Sequence, residues 1–415
     1  MTPTGTNPIA AAGSPGTPRL LRALNERALW DHLQRQGATS RAQLARDTGL
    51  SKPTVSQALA NLERAGLVRV VGAASGGRGR QAVLYESDPT AGYVVGVDVG
   101  GSWVRCAVAD LAGTIVGRQD VRNRARSAAA LVETVAGVAH QVVRSASLTW
   151  SSVVHTLIGS PGVFDPRSGR MLLAPNLPGG WARTGLVERL GQALGTSVAV
   201  ENDANLAVVG ERTFGRGADV GTFAYLMVGT GVGMGVVVDG RLYRGARGVA
   251  GEIGFLPLGA DDAPGAPSPA GREVSRRGLL EEAASADGVV RTAVALGMEE
   301  PLTAQHVFDA AREGDAVAAR AVEVEGERLA LLIAAVAAIL DPELVVLGGG
   351  VGRNLDLLEE PLTRRLHQLV PFRPRVVPSA LGTDAVLLGA IATGLDVARD
   401  LVFQERAGDG RSASA

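Results

Sequence analysis

The sequence predicts an α/β protein in two parts: a small winged helix-turn-helix, then a larger body of two α/β lobes. Three observations carry that prediction. Three short helical patterns and a strand, glycine-rich loop and strand fill the first 90 residues. Two glycine-turned strand pairs, near residues 100 and 230, each introduce helices. The chain has 415 residues, 46% of them hydrophobic and 20% charged. At about 150 residues per domain that allows two or three domains with sizeable cores, and it excludes a disordered or fibrous chain.

In the N-terminal part, Leu20, Leu21, Leu24, Ala28, Leu29 and Leu33 fall at helical spacing over residues 19–37. Ser40 opens a second helix, with Gln43 in capping-box position and Gly49 as its stop. Ser51 caps a third, which tolerates Pro53 in its first turn and carries Val55, Leu59 and Leu62 inward before Gly66. Residues 67–71 and 82–85 read as strands around a glycine-rich loop holding Arg78 and Arg80.

In such a unit the third helix projects its first residues into a major groove. Ser51, Lys52, Thr54, Ser56 and Gln57 face outward by the spacing. Gln57 suits adenine, and Lys52, the only lysine in the chain, suits a guanine edge or a phosphate. Arg41 is placed for a phosphate, and Arg78 and Arg80 suit a narrow minor groove. Helical triplets also serve as protein-contact modules, but turn, cap and arginine wing occurring in order favour DNA. Charge agrees. Residues 1–90 hold eleven Lys/Arg and six Asp/Glu against 30 and 36 in the remainder, so a basic head precedes an acidic body.

Residues 1–18 read as a flexible leader: no basic residue precedes Arg19 and no apolar stretch suggests a signal peptide. The head spans 19–88 and the body 89–405, with the lobe boundary near 205–220; 406–415 read as a flexible tail. The longest apolar run, 329–340, is twelve residues, where a membrane span needs about twenty, so it reads as a buried helix. The single cysteine, Cys106, excludes a disulfide framework and fits a cytoplasmic setting.

The body's chemistry gathers in glycine turns and one carboxylate-rich strand end. Asp98 precedes Gly100, Gly101 and Ser102, a turn whose amides could cradle phosphate while Asp98 holds a metal-bound water; such turns are also ordinary hairpins. Gly229, Thr230 and Gly231 repeat the device, and Gly349 and Gly350 follow a buried strand. The pattern matches neither a Walker loop nor a dinucleotide fingerprint. The run Glu201-Asn202-Asp203-Ala204-Asn205 offers the carboxylate and carboxamide mix that sugar hydroxyls need, with Asp203 as proton acceptor. Helix capping by Asn202 or Asp203 is the bland alternative. Asn176 and Glu252 are further hydroxyl ligands by residue type.

With these motifs the chain resembles the ROK family of repressors, open reading frames and kinases, in its regulator branch. The resemblance covers residues 19–400 and rests on Asp98-Val-Gly-Gly101, Glu201–Asn205, Gly229-Thr-Gly231, Gly248–Gly254 and Gly348–Gly350, with Ser40-Arg41 and Gly49-Leu-Ser-Lys52 in the head. It implies an actin-like, ribonuclease-H-like fold of two lobes with a sugar in the cleft. Asp203 would be the general base if the protein is a kinase, and Asn176, Asn202, Glu252 and Glu281 would contact the sugar.

Two departures narrow the expectation. Phe255 stands where the family usually has histidine, and the three cysteine positions of its zinc loop hold Arg272, Val274 and Leu279, so no structural zinc is expected. The expected function is a sugar-responsive repressor, a homodimer or tetramer on double-stranded operator DNA with a sugar or sugar-phosphate effector and no required cofactor. The alternative is an ATP- and magnesium-dependent sugar kinase that also binds DNA; a constitutive DNA-binding scaffold is the third class. None of the five histidines falls in a motif.

Overall fold

The computed structural model describes residues 18–76, 80–165, 170–173, 177, 185–257 and 278–408. They form two compact units: residues up to Tyr93 with 110–112 and 397 onward, and the remainder of 94–396.

The first unit is the expected winged helix. It comprises α1 (Pro18–Gln36), β1 (Thr39–Ser40), α2 (Arg41–Thr48), α3 (Lys52–Arg64), β2 (Val68–Gly76) and β3 (Arg80–Ser87), with the three strands ordered β1-β3-β2. Both serine caps are present, Ser40 accepting from the Gln43 amide and Ser51 from the Thr54 amide. The reciprocal half of the capping box is not made, because the Gln43 side chain donates to Asp47 instead. Gly49 sits at φ 71°, the left-handed turn that glycine adopts at least cost. Leu29, Trp30, Leu33, Leu44, Val55, Leu59 and Leu62 close the core. Leu20, Leu21 and Leu24 stay more than half exposed, so the early apolar positions of α1 are not core.

The last stretch of chain completes this unit. Phe403 stacks on Trp30 with ring centroids 5.5 Å apart, Arg27 bonds Asp400 at 2.6 Å, and Arg406 donates to the Gly66 carbonyl. Residues 397–408 therefore group with the head rather than with the body. Residues 404–408, at the edge of the expected tail, are helical.

The second unit holds two five-stranded sheets. The first takes β4 (Tyr93–Val99), β5 (Trp103–Asp110), β6 (Ile115–Arg122), β7 (Val153–Ser160) and β10 (Ser197–Asn202), in the order β10-β7-β4-β5-β6. A small hairpin, β8 (Val163–Asp165) with β9 (Arg170–Leu173), precedes β10. The second takes β11 (Phe223–Val228), β12 (Val232–Val238), β13 (Arg241–Leu242), β14 (Leu344–Gly348) and β15 (Arg375–Pro378), in the order β13-β12-β11-β14-β15. Counted along the chain, each sheet reads third, second, first, fourth, fifth. That identity of connection is the internal duplication the two glycine-turned hairpins suggested.

Around the first sheet lie α4 (Ala128–Ser145), α5 (Leu186–Leu194) and α6 (Asp203–Phe214). With the second go α7 (Leu279–Ala284), α8 (Ala286–Ala295), α9 (Ala304–Arg312), α10 (Ala316–Leu340), α11 (Gly349–Gly352) and α12 (Leu355–Leu369). Helix α13 (Ala385–Phe403) ends the fold. The apolar run 329–340 is the last half of α10, with Leu329, Leu332 and Ile333 buried, and no described helix is long and apolar enough to cross a membrane.

Helix α6 carries the strand-end motif and is tightly wedged. Its Gly210 faces Ala385 and Gly389 of α13, and a methyl on Gly389 would strike the Leu206 carbonyl. Only backbone-to-backbone approach fits there, which fixes the axial position of Asp203.

Candidate functional site

The strand-end motif folds as its chemistry requires. β10 pairs parallel with β7 and delivers Glu201, Asn202 and Asp203 to the start of α6. Asn202 is the N-cap: its carbonyl accepts from the Asn205 amide at 3.0 Å and its amide donates to the Gly162 carbonyl at 3.0 Å. The capping alternative thus describes Asn202, whose amide group is already engaged. Asp203 is the first helical residue, and its carboxylate accepts from the neighbouring Ala204 amide at 2.8 Å.

Four acids converge. Burial pushes Asp203 up to about 6, countered by backbone amides and reinforced by the charge of Glu281. Glu252 rises to about 7, through burial and then through Asp203 and Glu281. Asp98 also reaches about 6, because burial and nearby Asp203 outweigh its pairing with Arg105. Gly254 lies against the Glu281 side chain, so the Gly251–Gly254 segment and α7 meet at this cluster. Mutual repulsion and desolvation both favour protonated forms, leaving groups that can donate or accept near neutral pH.

Two of the three glycine stretches meet, and part of the donor capacity of these turns is taken. Gly229 faces Gly349 and Gly350 across the end of the second sheet. The Gly229 amide, however, closes its own turn onto the Gly231 carbonyl, and the Gly100 amide donates to the Trp103 carbonyl at 2.8 Å. Those two are hairpin amides, the ordinary reading of such turns. The Gly350 carbonyl accepts from Asn354 at 2.9 Å. Gly101, Ser102 and Thr230 lie in the same turns.

Two residues that the sequence reading did not single out shape the cleft. Arg105 on β5 donates to Asp98 at 2.9 Å, so Asp98 is not left facing a metal-bound water. Among the described residues no group of three His, Cys, Asp or Glu has metal-site geometry. Arg244 binds Glu201 at 2.7 Å, and Glu201 in turn accepts from the Asn202 and Asn205 amides at 3.0 Å each. The signal for both was an arginine on or beside a strand flanking a motif carboxylate.

Asn176, Arg78, Arg272 and Val274 lie outside the described residues. Leu279 begins α7, and Phe255 is 42% exposed at the end of a short 3-10 turn.

On the head, Ser51, Lys52 and Gln57 are exposed, with Thr54 and Ser56 half-buried beside them. Gln57 donates to Asn61 at 3.0 Å, one turn on. Arg41 is not free as expected: it donates to the Tyr85 hydroxyl at 2.9 Å and lies 5.1 Å over that ring. A phosphate would have to share its remaining donors. Arg80 pairs with Gly76 in the wing hairpin.

A winged helix joined to a duplicated two-sheet body with a buried cluster of acids is the architecture of a regulator built on a sugar-kinase fold. Residues 94–396 match the ROK family and residues 31–79 the MarR family, and this chain belongs to the ROK family. It is 27% identical over 394 residues to a putative xylose repressor of Caldicellulosiruptor sp., covering 91% of this chain and 96% of that one. It is 32% identical over 317 residues to a glucokinase of Halalkalibacterium halodurans, covering 72% and 93%. In fold it matches a ROK family transcriptional regulator, a homologue of the E. coli MLC protein, with TM-score 0.74 and 20% identity over 94% and 100% of the chains.

Proposed function

We propose that this protein is a sugar-responsive transcriptional repressor of carbohydrate-utilisation genes. The observation that carries the reading is the union in one chain of a capped, exposed third helix and a cleft of four converging acids. Relatives named xylose repressor run nearly the full length of the chain, head included. In this reading the exposed face of α3 enters the major groove, with Gln57 and Lys52 on base edges and Arg41, Arg78 and Arg80 on phosphates or the minor groove. Asp203, Glu252, Glu281 and Asn176 hold the hydroxyls of an aldose, with Asn202 capping α6 beside them.

A homodimer reads two half-sites, and operator binding places its work in the cytoplasm. The effector acts only through its difference in affinity between the DNA-competent form and the released one. No cofactor is required and no zinc holds the fold. Titration of the full-length protein onto its operator, with and without D-xylose and D-glucose, tests this. One sugar should weaken DNA binding at least tenfold; indifference to a broad aldose panel counts against the reading.

Sugar kinase activity is the second reading, kept by Asp203, which burial pushes up to about 6 at the start of α6. Full-length coverage by a glucokinase stops short of the head. A coupled assay for ADP release with Asp203→Ala as control separates the two. Sugar-dependent turnover lost in the variant would establish the kinase.

A further inference from the structure

Arg105 sits where the acid cluster meets the first glycine turn. Its cross-strand neighbour on β6 is Asp120, so strand register alone points the guanidinium between two carboxylates. It donates to Asp98 at 2.9 Å and stands 3.9 Å from Asp120. The side chains of Arg105 and Asp98 are 20% and 9% exposed, so little water screens them.

Asp120 is held from its far side by Arg118 at 3.1 Å, and Arg118 grips both oxygens of Asp384 at 2.8 Å each. The arrangement is a row of alternating charge, acid-base-acid-base-acid, with Arg105 near the cleft end. Such a row holds Arg105 in place, because moving it leaves Asp98 unpaired where its side chain is only 9% exposed, while Asp120 keeps Arg118.

A divalent cation on Asp98 would have to share a carboxylate one of whose oxygens already accepts from Arg105, and would meet that positive charge at close range. Magnesium binding to nucleotide sites ordinarily relies on one or two unencumbered carboxylates together with the phosphates. Here that carboxylate already has a permanent partner that cannot lose its proton. The remaining acids, Asp203, Glu252 and Glu281, repel phosphate groups that arrive without a metal.

We propose that Arg105 is the resident cation of the cleft, holding on Asp98 the place of a divalent metal ion, so that the site takes an uncharged sugar without a metal–nucleotide. The inference rests on the cleft being a sugar site and adds what that site excludes. It also disfavours sugar phosphates as effectors, since the phosphate would meet the carboxylates of Asp203, Glu252 and Glu281.

The test uses Mn2+ as probe on the full-length protein, with free ion counted by electron paramagnetic resonance. Wild type and Asp98→Asn should bind Mn2+ alike, with or without a non-hydrolysable ATP analogue. Arg105→Ala should gain one site at least tenfold tighter, and Arg105→Ala with Asp98→Asn should lose it again. Arg105→Lys, which keeps the charge, should remain metal-free.

One equivalent of Mn2+ on the wild type that Asp98→Asn removes overturns the proposal, and so does a folded Arg105→Ala that gains nothing. If Arg105→Ala does not fold, the wild-type and Asp98→Asn arms decide alone, equal binding supporting the proposal. Calorimetry with D-xylose and D-glucose, in EDTA and in magnesium, keeps the two claims apart. Sugar affinity independent of magnesium supports both, and affinity that requires magnesium overturns the resident cation alone. With no sugar bound, the sugar-site reading fails, while the Mn2+ outcome still decides the role of Arg105.

Discussion

The head and the cleft solve opposite electrostatic problems. In the head, Ser40 and Ser51 cap helices, Arg69 meets Glu86, Arg27 meets Asp31 and Asp400, and Arg41 rests on Tyr85. Around Asp203, like charges are gathered and partly buried, and three acids sit two or more pH units above their ordinary range. Partnered groups make a rigid body that presents a surface. Crowded acids make a site held in readiness for hydroxyls, at a cost in stability.

The largest expected contrast comes from Trp30. It is fully buried, stacks on Phe403 and donates to the Leu67 carbonyl at 3.1 Å. Trp30→Ala should lower head stability by about 3–5 kcal/mol through the cavity it leaves. Operator binding should vanish while calorimetric sugar binding persists. Loss of both together would show that the two units do not stand independently.

The next pair separates two kinds of DNA contact. Gln57→Ala should cost about 1–3 kcal/mol at one base position, as a lost bidentate contact does. Lys52→Ala should weaken binding to all sequences and reduce the salt slope by about one. A binding-site selection experiment at two salt concentrations reads both effects. If Gln57→Ala leaves specificity untouched, its bond to Asn61 is its only role.

Much of this was legible in the sequence, and what was not has a physical reason. Caps and turns are local, so Ser40, Ser51 and Gly49 were readable within four residues. The two glycine-turned strand pairs announced a duplication, but not the strand order, which depends on long-range pairing. Arg105 was missed because its pairing depends on strand register across the Gly100–Ser102 turn. Asn202 was undecidable, since a cap and a sugar ligand call for the same side chain; only hydrogen-bond geometry distinguishes them. Docking of Phe403 on Trp30 joins the two ends of the chain, and nothing local announces it. Asn176 and Arg78 were read from motif and loop composition alone.

A smaller effect should appear in pH dependence. Asp98, Asp203, Glu252 and the buried Glu325 titrate at about 6, 6, 7 and 8 when folded, all through desolvation first. Each holds its proton more tightly folded than unfolded. With other groups equal, this contribution is therefore complete below about pH 4 and is lost as pH rises toward 8. Asp203→Asn should flatten part of that slope while weakening sugar binding at least tenfold. Denaturant melts at pH 5, 6, 7 and 8 give the slope; a rise in body stability over that range contradicts the assignment.

The smallest expected effect is also the most discriminating, because Ser51 belongs to both problems at once. Its hydroxyl caps α3, accepting from the Thr54 amide at 3.3 Å, and it is exposed at the end of the helix offered to DNA. Ser51→Ala should cost about 1 kcal/mol of head stability. Ser51→Asp should restore the cap, and its charge suits a helix N-terminus. If Ser51 only caps, operator affinity should return along with stability. If this end of α3 lies against phosphate and base edges, Ser51→Asp should be as stable as wild type yet bind operator at least tenfold more weakly, through like-charge repulsion that added salt relieves. A thermal melt beside a salt-dependent binding isotherm distinguishes the two. Recovery of both properties would remove this turn from the interface and leave DNA reading to Lys52, Gln57 and the wing.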